Sequence, residues 1–153
     1  MSLLLAALLG VVAGLRAMTA PAVTSWALYL GCLGPTADWT AFMGYRFTPW
    51  IFTALALAEL VTDQLPSTPS RKVPIQFATR ILMGALCGAT IGSGGGQLVA
   101  GAILGATGAI VGALGGAAAR ARLAAALGRD RPAALIEDTV AIGGAILAIG
   151  LLA

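Results

Sequence analysis

Apolar residues occupy this chain in five long stretches, and polar or charged residues collect between them. The stretches cover 2–33, 48–65, 75–93, 97–118 and 133–153. Each is close to or above the ~20 apolar residues with which an α-helix crosses a bilayer. None alternates between apolar and polar positions in the manner of a half-buried strand. The pattern predicts an all-α fold, a polytopic transmembrane bundle of about five helices, in a single integral membrane domain that covers 1–153.

The composition supports a membrane protein. Hydrophobic residues make up 59% of the chain and charged residues only 10%, against roughly a quarter charged in soluble proteins. The net charge of +3 is too small for a nucleic-acid footprint, so the lipid bilayer is the expected partner and nucleic acid is not. The chain has no histidine and only two isolated cysteines, Cys32 and Cys87. We therefore predict neither an enzyme nor a cofactor.

The first stretch is unusual in its length and its interruptions. A continuous helix over 2–33 would measure about 48 Å, and Arg16 and Pro21 interrupt it. The favoured interpretation is one span that is kinked or broken at Pro21. The alternative is two half-helices that fold back, which would move the N-terminus to the other side. Because no basic residue precedes the apolar run and no clear cleavage site follows, we expect a retained helix rather than a signal peptide.

The basic residues between the stretches predict an orientation. If all five stretches span, 66–74 and 118–132 lie on one side and Arg46 lies on the other. Basic loops stay in the cytoplasm, so we predict a multi-pass protein of the bacterial inner membrane with both loops cytoplasmic, the N-terminus inside and the C-terminus outside. Eight of the nine aromatic residues lie in 26–52, which indicates an outer interface. The cytoplasmic basic residues are Arg71, Lys72, Arg120, Arg122, Arg129 and Arg131.

Glycines recur every three or four residues in the later stretches. This spacing places them on one face of a helix and lets two backbones approach closely. The stripe is explained either by packing among the helices of one chain or by a homodimer seam. The glycines of the third stretch are Gly84, Gly88 and Gly92, and those assigned to the candidate homodimer seam are Gly101, Gly105, Gly108 and Gly112.

Six charged residues fall inside the apolar stretches, and their depths agree. Glu59 and Asp63 are four residues apart, so they share one face of a helix that is expected to break at Pro66. A charge near the bilayer centre costs about 2.5–3.5 kcal/mol on insertion scales, so these groups should pair. We therefore expect one cluster near the cytoplasmic side, with carboxylates from Glu59, Asp63, Glu137 and Asp138 and counter-charges from Arg16 and Arg80.

Two functions fit such a cluster. Two arginines leave two carboxylates over, which could bind a proton, a monovalent cation or a metal held by oxygen ligands. This interpretation makes the protein a small inner-membrane permease or channel-like transporter. The alternative is a non-transporting membrane scaffold or assembly partner, in which the cluster is structural and fixes the helices. An intramembrane enzyme lacks a nucleophile–base pair.

Four short motifs resemble a known family. They are Gly-Leu-Arg-Ala at 14–17, Glu-x-x-x-Asp-x-x-Pro at 59–66, Thr-Arg at 79–80 and Ile-Glu-Asp at 136–138. The chain resembles small bacterial integral membrane proteins that share a domain of unknown function numbered four-one-two-six. The resemblance implies a multi-helix membrane protein and supplies no activity. The chain departs from the family after Pro66 and in its glycine-dense fourth stretch. The residues highlighted by the resemblance are Arg16, Glu59, Asp63, Pro66, Arg80, Glu137 and Asp138.

Overall fold

The regular structure of the described chain is helical. A computed structural model describes residues 2–34, 36–63 and 73–151, and within these ranges no strand occurs. The predicted all-helical class is therefore confirmed for this part of the chain. Pro66, Arg71 and Lys72 lie outside the described residues, as does the side chain of Arg131. The helices are α1 (Ser2–Leu15), α2 (Thr19–Tyr29), a 3-10 helix (Asp38–Gly44), α3 (Thr48–Thr62), α4 (Pro74–Ser93), α5 (Leu98–Leu127) and α6 (Asp130–Gly150).

Among the described residues, two helices are long and apolar enough to cross a membrane, namely α4 and α5. The helices α1 and α3 are apolar but have only 14 and 15 residues. The structure thus gives two candidate spans and does not establish the predicted five.

Close glycine packing joins α1, α4 and α5 into the core of the molecule. A β-carbon on Gly105 would overlap the carbonyl oxygen of Gly84, and one on Gly88 would overlap that of Gly101. Gly108 and Gly112 of α5 make the same kind of approach to the backbone of α1 at Ala7 and Val11. The helices touch through their backbones because no side chain stands between them.

This packing agrees with one of the two interpretations of the glycine stripe. Gly101, Gly105, Gly108 and Gly112 are all buried within one chain, where they pack against α4 and α1. A homodimer stays a prediction.

The glycine contacts also fix the directions of these helices. Gly10 faces Gly105 and Gly14 faces Ala109, so α1 and α5 run parallel. Gly84 faces Gly105 and Gly88 faces Gly101, so α4 runs antiparallel to both. The bundle thus has two ends. We call them the Ser2 end, which also carries the turn at 94–97, and the Arg16 end, where α1 stops.

The first apolar stretch folds back, which corrects the favoured single span. Cys32 and Leu33, which follow α2, line the same cavity at the Ser2 end as Ser2 and Leu5. Halfway along α2, Thr24 lies beside Cys87 in α4. The helices α1 and α2 therefore form a helical hairpin whose tip, residues 16–18, points toward the Arg16 end.

The position of this tip follows from Pro21. Proline has no N–H, and its ring excludes a helical carbonyl four residues earlier, which here belongs to Ala17. The helix therefore breaks at 16–18, one turn before the proline, and Pro21 itself lies in the first turn of α2. The prediction of a break near Pro21 is confirmed, and the direction taken after the break is the alternative one.

The two remaining helices lie outside the hairpin. The helix α3 runs beside α2, where the indole Nε1 of Trp26 donates to Oγ1 of Thr53 at 3.0 Å. Only Pro49 and Ala56 of α3 are buried. The helix α6 packs on α5, α1 and α2, and it runs from the Arg16 end toward Leu151, which lines the cavity at the Ser2 end.

The connection between α5 and α6 differs from the predicted loop at 118–132. The helix α5 continues to Leu127, and Gly128 ends it in a left-handed conformation with φ 66°. Such a conformation suits glycine because it has no β-carbon. Most of the predicted loop is therefore the last turns of α5 and the start of α6. This extension moves Arg120 and Arg122 onto a helix.

Candidate functional site: a charge cluster at the hairpin tip

The hairpin tip exposes backbone groups that no helix satisfies. The last carbonyls of a helix and the first N–H groups of the next have no partner within their own helices. Here α1 ends at Leu15 and α2 begins at Thr19, so both sets meet at 14–18. In an apolar surrounding each unsatisfied group costs several kcal/mol, and charged side chains from other helices supply the partners.

Arg80 and Glu59 cap the two helix ends that meet at the tip. Arg80 Nη1 donates to the carbonyl oxygens of Gly14 at 2.9 Å and Leu15 at 2.6 Å. The carboxylate of Glu59 accepts from the backbone N–H of Ala17 and from that of Met18, both at 2.8 Å, one on each oxygen. The cation thus lies at the C-terminus of α1 and the anion at the N-terminus of α2. Both placements agree with the helix dipole.

The two caps are also paired with each other. Arg80 Nη2 lies 3.4 Å from Oε1 of Glu59. Because Glu59 belongs to α3 and Arg80 to α4, this pair ties both helices to the tip between α1 and α2.

Arg16 extends the network to α6. Its side chain is 0% exposed, and Nη1 and Nη2 donate to the carboxylates of Asp63 and Asp138 respectively. Asp63 follows the last residue of α3, and Asp138 lies in the third turn of α6. A planar guanidinium can serve two carboxylates at once, and this one joins the hairpin tip to α3 and α6.

Glu137 has a different neighbour from the one predicted. Its side chain is 7% exposed and lies 3.8 Å from Nη1 of Arg120. Adjacent residues of a helix diverge by about 100°, so Glu137 and Asp138 face different partners. Sequence reasoning missed Arg120 because it placed the end of the fourth helix at 118. The spacing of the sequence could have identified it, because Gly112, Gly116 and Arg120 follow one another at four-residue steps along the buried face of α5.

The predicted convergence is therefore found in the structure. Arg16, Glu59, Asp63, Arg80 and Asp138 meet at the tip, and Glu137 lies beside them with Arg120. Pro21 lies in α2 next to the tip. Arg80 lies six residues after the start of α4, so the cluster is about 9 Å from that end of the helix along its axis.

The charges of the cluster are layered. Arg16 and Arg80 are 0% and 2% exposed, whereas the side chains of Glu59, Asp63 and Asp138 are 13%, 15% and 12% exposed. The guanidinium groups are thus innermost and the carboxylates face outward. Among the described side chains, ion pairs join Arg16 to Asp63 and Asp138, Arg80 to Glu59, and Arg120 to Glu137.

This arrangement satisfies polar groups more than it offers them to a ligand. Both oxygens of Glu59 are engaged by N–H groups, and Asp63 and Asp138 share one guanidinium. Within the described residues, no group of three or more metal-ligating side chains is suitably placed for a metal ion.

Comparison with protein-family models, with curated proteins and with solved structures gives no match to this chain. The resemblance to the four-one-two-six family therefore stays a prediction that rests on its four motifs.

Proposed function

We propose that the protein is a polytopic integral membrane protein of about five membrane-embedded segments, the first of which is the α1–α2 hairpin that enters and leaves on one side. Large apolar side chains point outward around the bundle, for example Leu82 at 64%, Val99 at 67% and Ile146 at 64% exposed. Lipid would cover such a surface, whereas water would not favour it. The composition and the two long apolar helices support the same placement.

The charge distribution supports an orientation in the bacterial inner membrane. Arg120 and Arg122 lie on the last turns of α5 at the Arg16 end, and Arg129 follows them. The Ser2 end carries Arg46 and exposed aromatic residues such as Trp39 and Tyr45. By the positive-inside rule the Arg16 end faces the cytoplasm. Because the first stretch folds back, Ser2 then lies on the outer side, opposite to the sequence prediction.

The geometry favours a non-transporting membrane scaffold or assembly partner over a transporter. The observation that carries this proposal is the double contact of Glu59 with the N–H groups of Ala17 and Met18. Irregular backbone at membrane depth needs partners from the protein, and here the charged residues provide them. On this proposal the cluster is a latch that keeps the hairpin in place between α3, α4 and α6.

A proton- or cation-coupled permease is the second candidate. Discontinuous helices whose ends meet near the middle of the membrane form the ion and substrate sites of many transporters. The hairpin tip has this form, and it is surrounded by carboxylates from α3 and α6. On this candidate Glu59, Asp63, Glu137 and Asp138 would hold the proton or cation while Arg16 and Arg80 act as counter-charges.

Thermal unfolding of the detergent-purified protein separates the two candidates. Glu59→Gln replaces one acceptor oxygen by an NH₂ group that confronts a backbone N–H, so the latch predicts a loss of about 2–3 kcal/mol without any ligand. The control Arg46→Gln changes an exposed charge and should leave stability within ~0.5 kcal/mol.

The same series is repeated with monovalent cations, divalent cations and anionic metabolites. If the cluster is a latch, none of these ligands should stabilise the wild type in a way that is lost in Glu59→Gln. A ligand that stabilises the wild type but not Glu59→Gln would support the permease, provided that Glu59→Gln without ligand is as stable as the wild type.

A further inference from the structure

An open cleft between α3 and α6 adjoins the charge cluster and shares Asp138 with it. It has a volume of about 540 Å³ and is lined by Leu60, Val61, Leu135, Asp138, Thr139 and Ile142. Both helices pack on α2, so α2 lies between them behind the cleft. A volume of roughly 300–1,000 Å³ with mainly apolar walls and a few polar groups is typical of a small-molecule site.

The walls of the cleft suit a hydrocarbon chain. Val61 is 66% exposed and Leu135 is 58% exposed, and the hydroxyl of Thr139 already donates to the carbonyl of Leu135 at 2.8 Å. The one ionisable side chain in the lining is Asp138, which lies between Leu135 and Ile142 along α6. The site thus combines apolar walls with a single charged group.

The carboxylate in the lining favours a cation. The side chain of Asp138 is 12% exposed, whereas that of Arg16, which pairs with it, is 0% exposed. A molecule in the cleft therefore meets the carboxylate of Asp138 rather than the guanidinium group. A primary ammonium group would donate a hydrogen bond to this carboxylate.

We infer that the α3–α6 cleft binds a membrane-resident amphiphile with a hydrocarbon body and a primary amine head. The head would lie at Asp138 and the chain would extend past Ile142 toward the Ser2 end. This is the orientation of an amphiphile in the leaflet that the Arg16 end faces. Because Asp138 also holds Arg16, the ligand would contact the latch directly. The inference rests on the proposed membrane placement, and not on whether the cluster is a latch or a transport site.

The test measures binding of three probes with the same chain: hexadecylamine, hexadecanol and palmitate. Protein in neutral dodecyl maltoside micelles is titrated with each probe, and bound molecules are counted by native mass spectrometry. The amine should bind at least about tenfold more tightly than the alcohol, since a charge-assisted hydrogen bond replaces a neutral one. Palmitate should bind most weakly. The net charge of the protein is +3, so overall electrostatic attraction would favour the anionic palmitate. Tighter binding of the amine would therefore indicate a local carboxylate contact.

Two tryptophan variants locate the site. Ile142→Trp fills the cleft and should weaken hexadecylamine binding by about tenfold or more. The control Leu82→Trp lies on α4, 64% exposed and outside the cleft, and should bind like the wild type. Thermal unfolding checks that both variants are folded.

Several results would overturn the inference. Equal binding to Ile142→Trp and wild type would place the amphiphile elsewhere. Equal affinities for amine and alcohol would remove the role of the carboxylate and leave a site for apolar chains only. Absence of hexadecylamine binding would exclude the site. None of these results bears on the latch, which the stability of Glu59→Gln tests separately.

Discussion

Arg16 shows how a single residue keeps its charge in an apolar interior. Its side chain is wholly buried, and its guanidinium group lies between the carboxylates of Asp63 and Asp138. The three groups come from the hairpin tip, from the end of α3 and from α6. The cost of burying each charge is offset only while the partners are present. Arg16 is therefore the residue whose removal should disturb the latch most.

Replacing Arg16 alone should be far more damaging than replacing the whole triad. Arg16→Met leaves two neighbouring carboxylates without their guanidinium, and we expect a loss of about 3–5 kcal/mol in the free energy of unfolding. Adding Asp63→Leu and Asp138→Leu removes the orphaned charges, so most of that loss should be recovered. Denaturant unfolding in mixed micelles measures both, with Arg46→Met as a control for an exposed arginine. A single variant within ~1 kcal/mol of the wild type would contradict the structural role.

The sequence predicted the residues of the cluster better than their pairing. Because a charge is costly to insert into a membrane, the charged residues of the apolar stretches were expected to pair. Their similar depths in the sequence pattern place them at one level. They are Arg16, Arg80, Glu59, Asp63 and Asp138. Depth alone does not specify which atoms bond. The contacts of Glu59 and Arg80 with backbone depend on where the helix breaks.

At the scale of the helix, α5 carries the packing of the core. Its buried face is formed almost entirely by glycine and alanine, from Gly101 to Gly116, and it contacts α4 and α1 through their backbones. The sequence predicted this face from its spacing. It did not predict the partner, because small residues fit the backbone of a neighbouring helix in the same chain as well as that of a second copy.

Two glycine variants in α5 test this packing with the same chemical change. Gly105→Ala places a methyl group against the carbonyl oxygen of Gly84, which is backbone and cannot rotate away. We expect it to destabilise the protein by about 1–3 kcal/mol. At Gly115 nothing lies within 4 Å of an added β-carbon, so Gly115→Ala should be neutral or stabilising by up to ~1 kcal/mol. Thermal unfolding compares the two, and equal effects would argue against the helix contacts described.

The hairpin is the element that the sequence left open. Arg16 and Pro21 indicate a break, but a break is compatible with a continued crossing and with a return. The return depends on Thr24 reaching Cys87, on Leu33 packing near Leu5 and on charged caps from α3 and α4. These contacts are long-range in sequence, so no local pattern encodes them.

At the scale of the whole molecule, the fold-back changes the membrane topology that we propose. Five simple crossings would place Ser2 and the turn at 94–97 on opposite sides. In the structure Ser2 lies beside that turn, with its Oγ 3.8 Å from the position of a β-carbon on Gly95. Leu151 lines the same cavity. The positive residues at the other end then predict that Ser2, Gly95 and Leu151 all face outward.

Single-cysteine labelling tests this topology. In a background with Cys32→Ala and Cys87→Ala, cysteines are introduced one at a time by Ser2→Cys, Gly95→Cys and Arg122→Cys. A membrane-impermeant maleimide added to spheroplasts should label positions 2 and 95, and position 122 should react only after permeabilisation. Labelling of position 2 together with 122 would restore the single crossing of 2–33. Labelling of 122 alone from outside would reverse the orientation but keep the hairpin, because positions 2 and 95 would still behave alike.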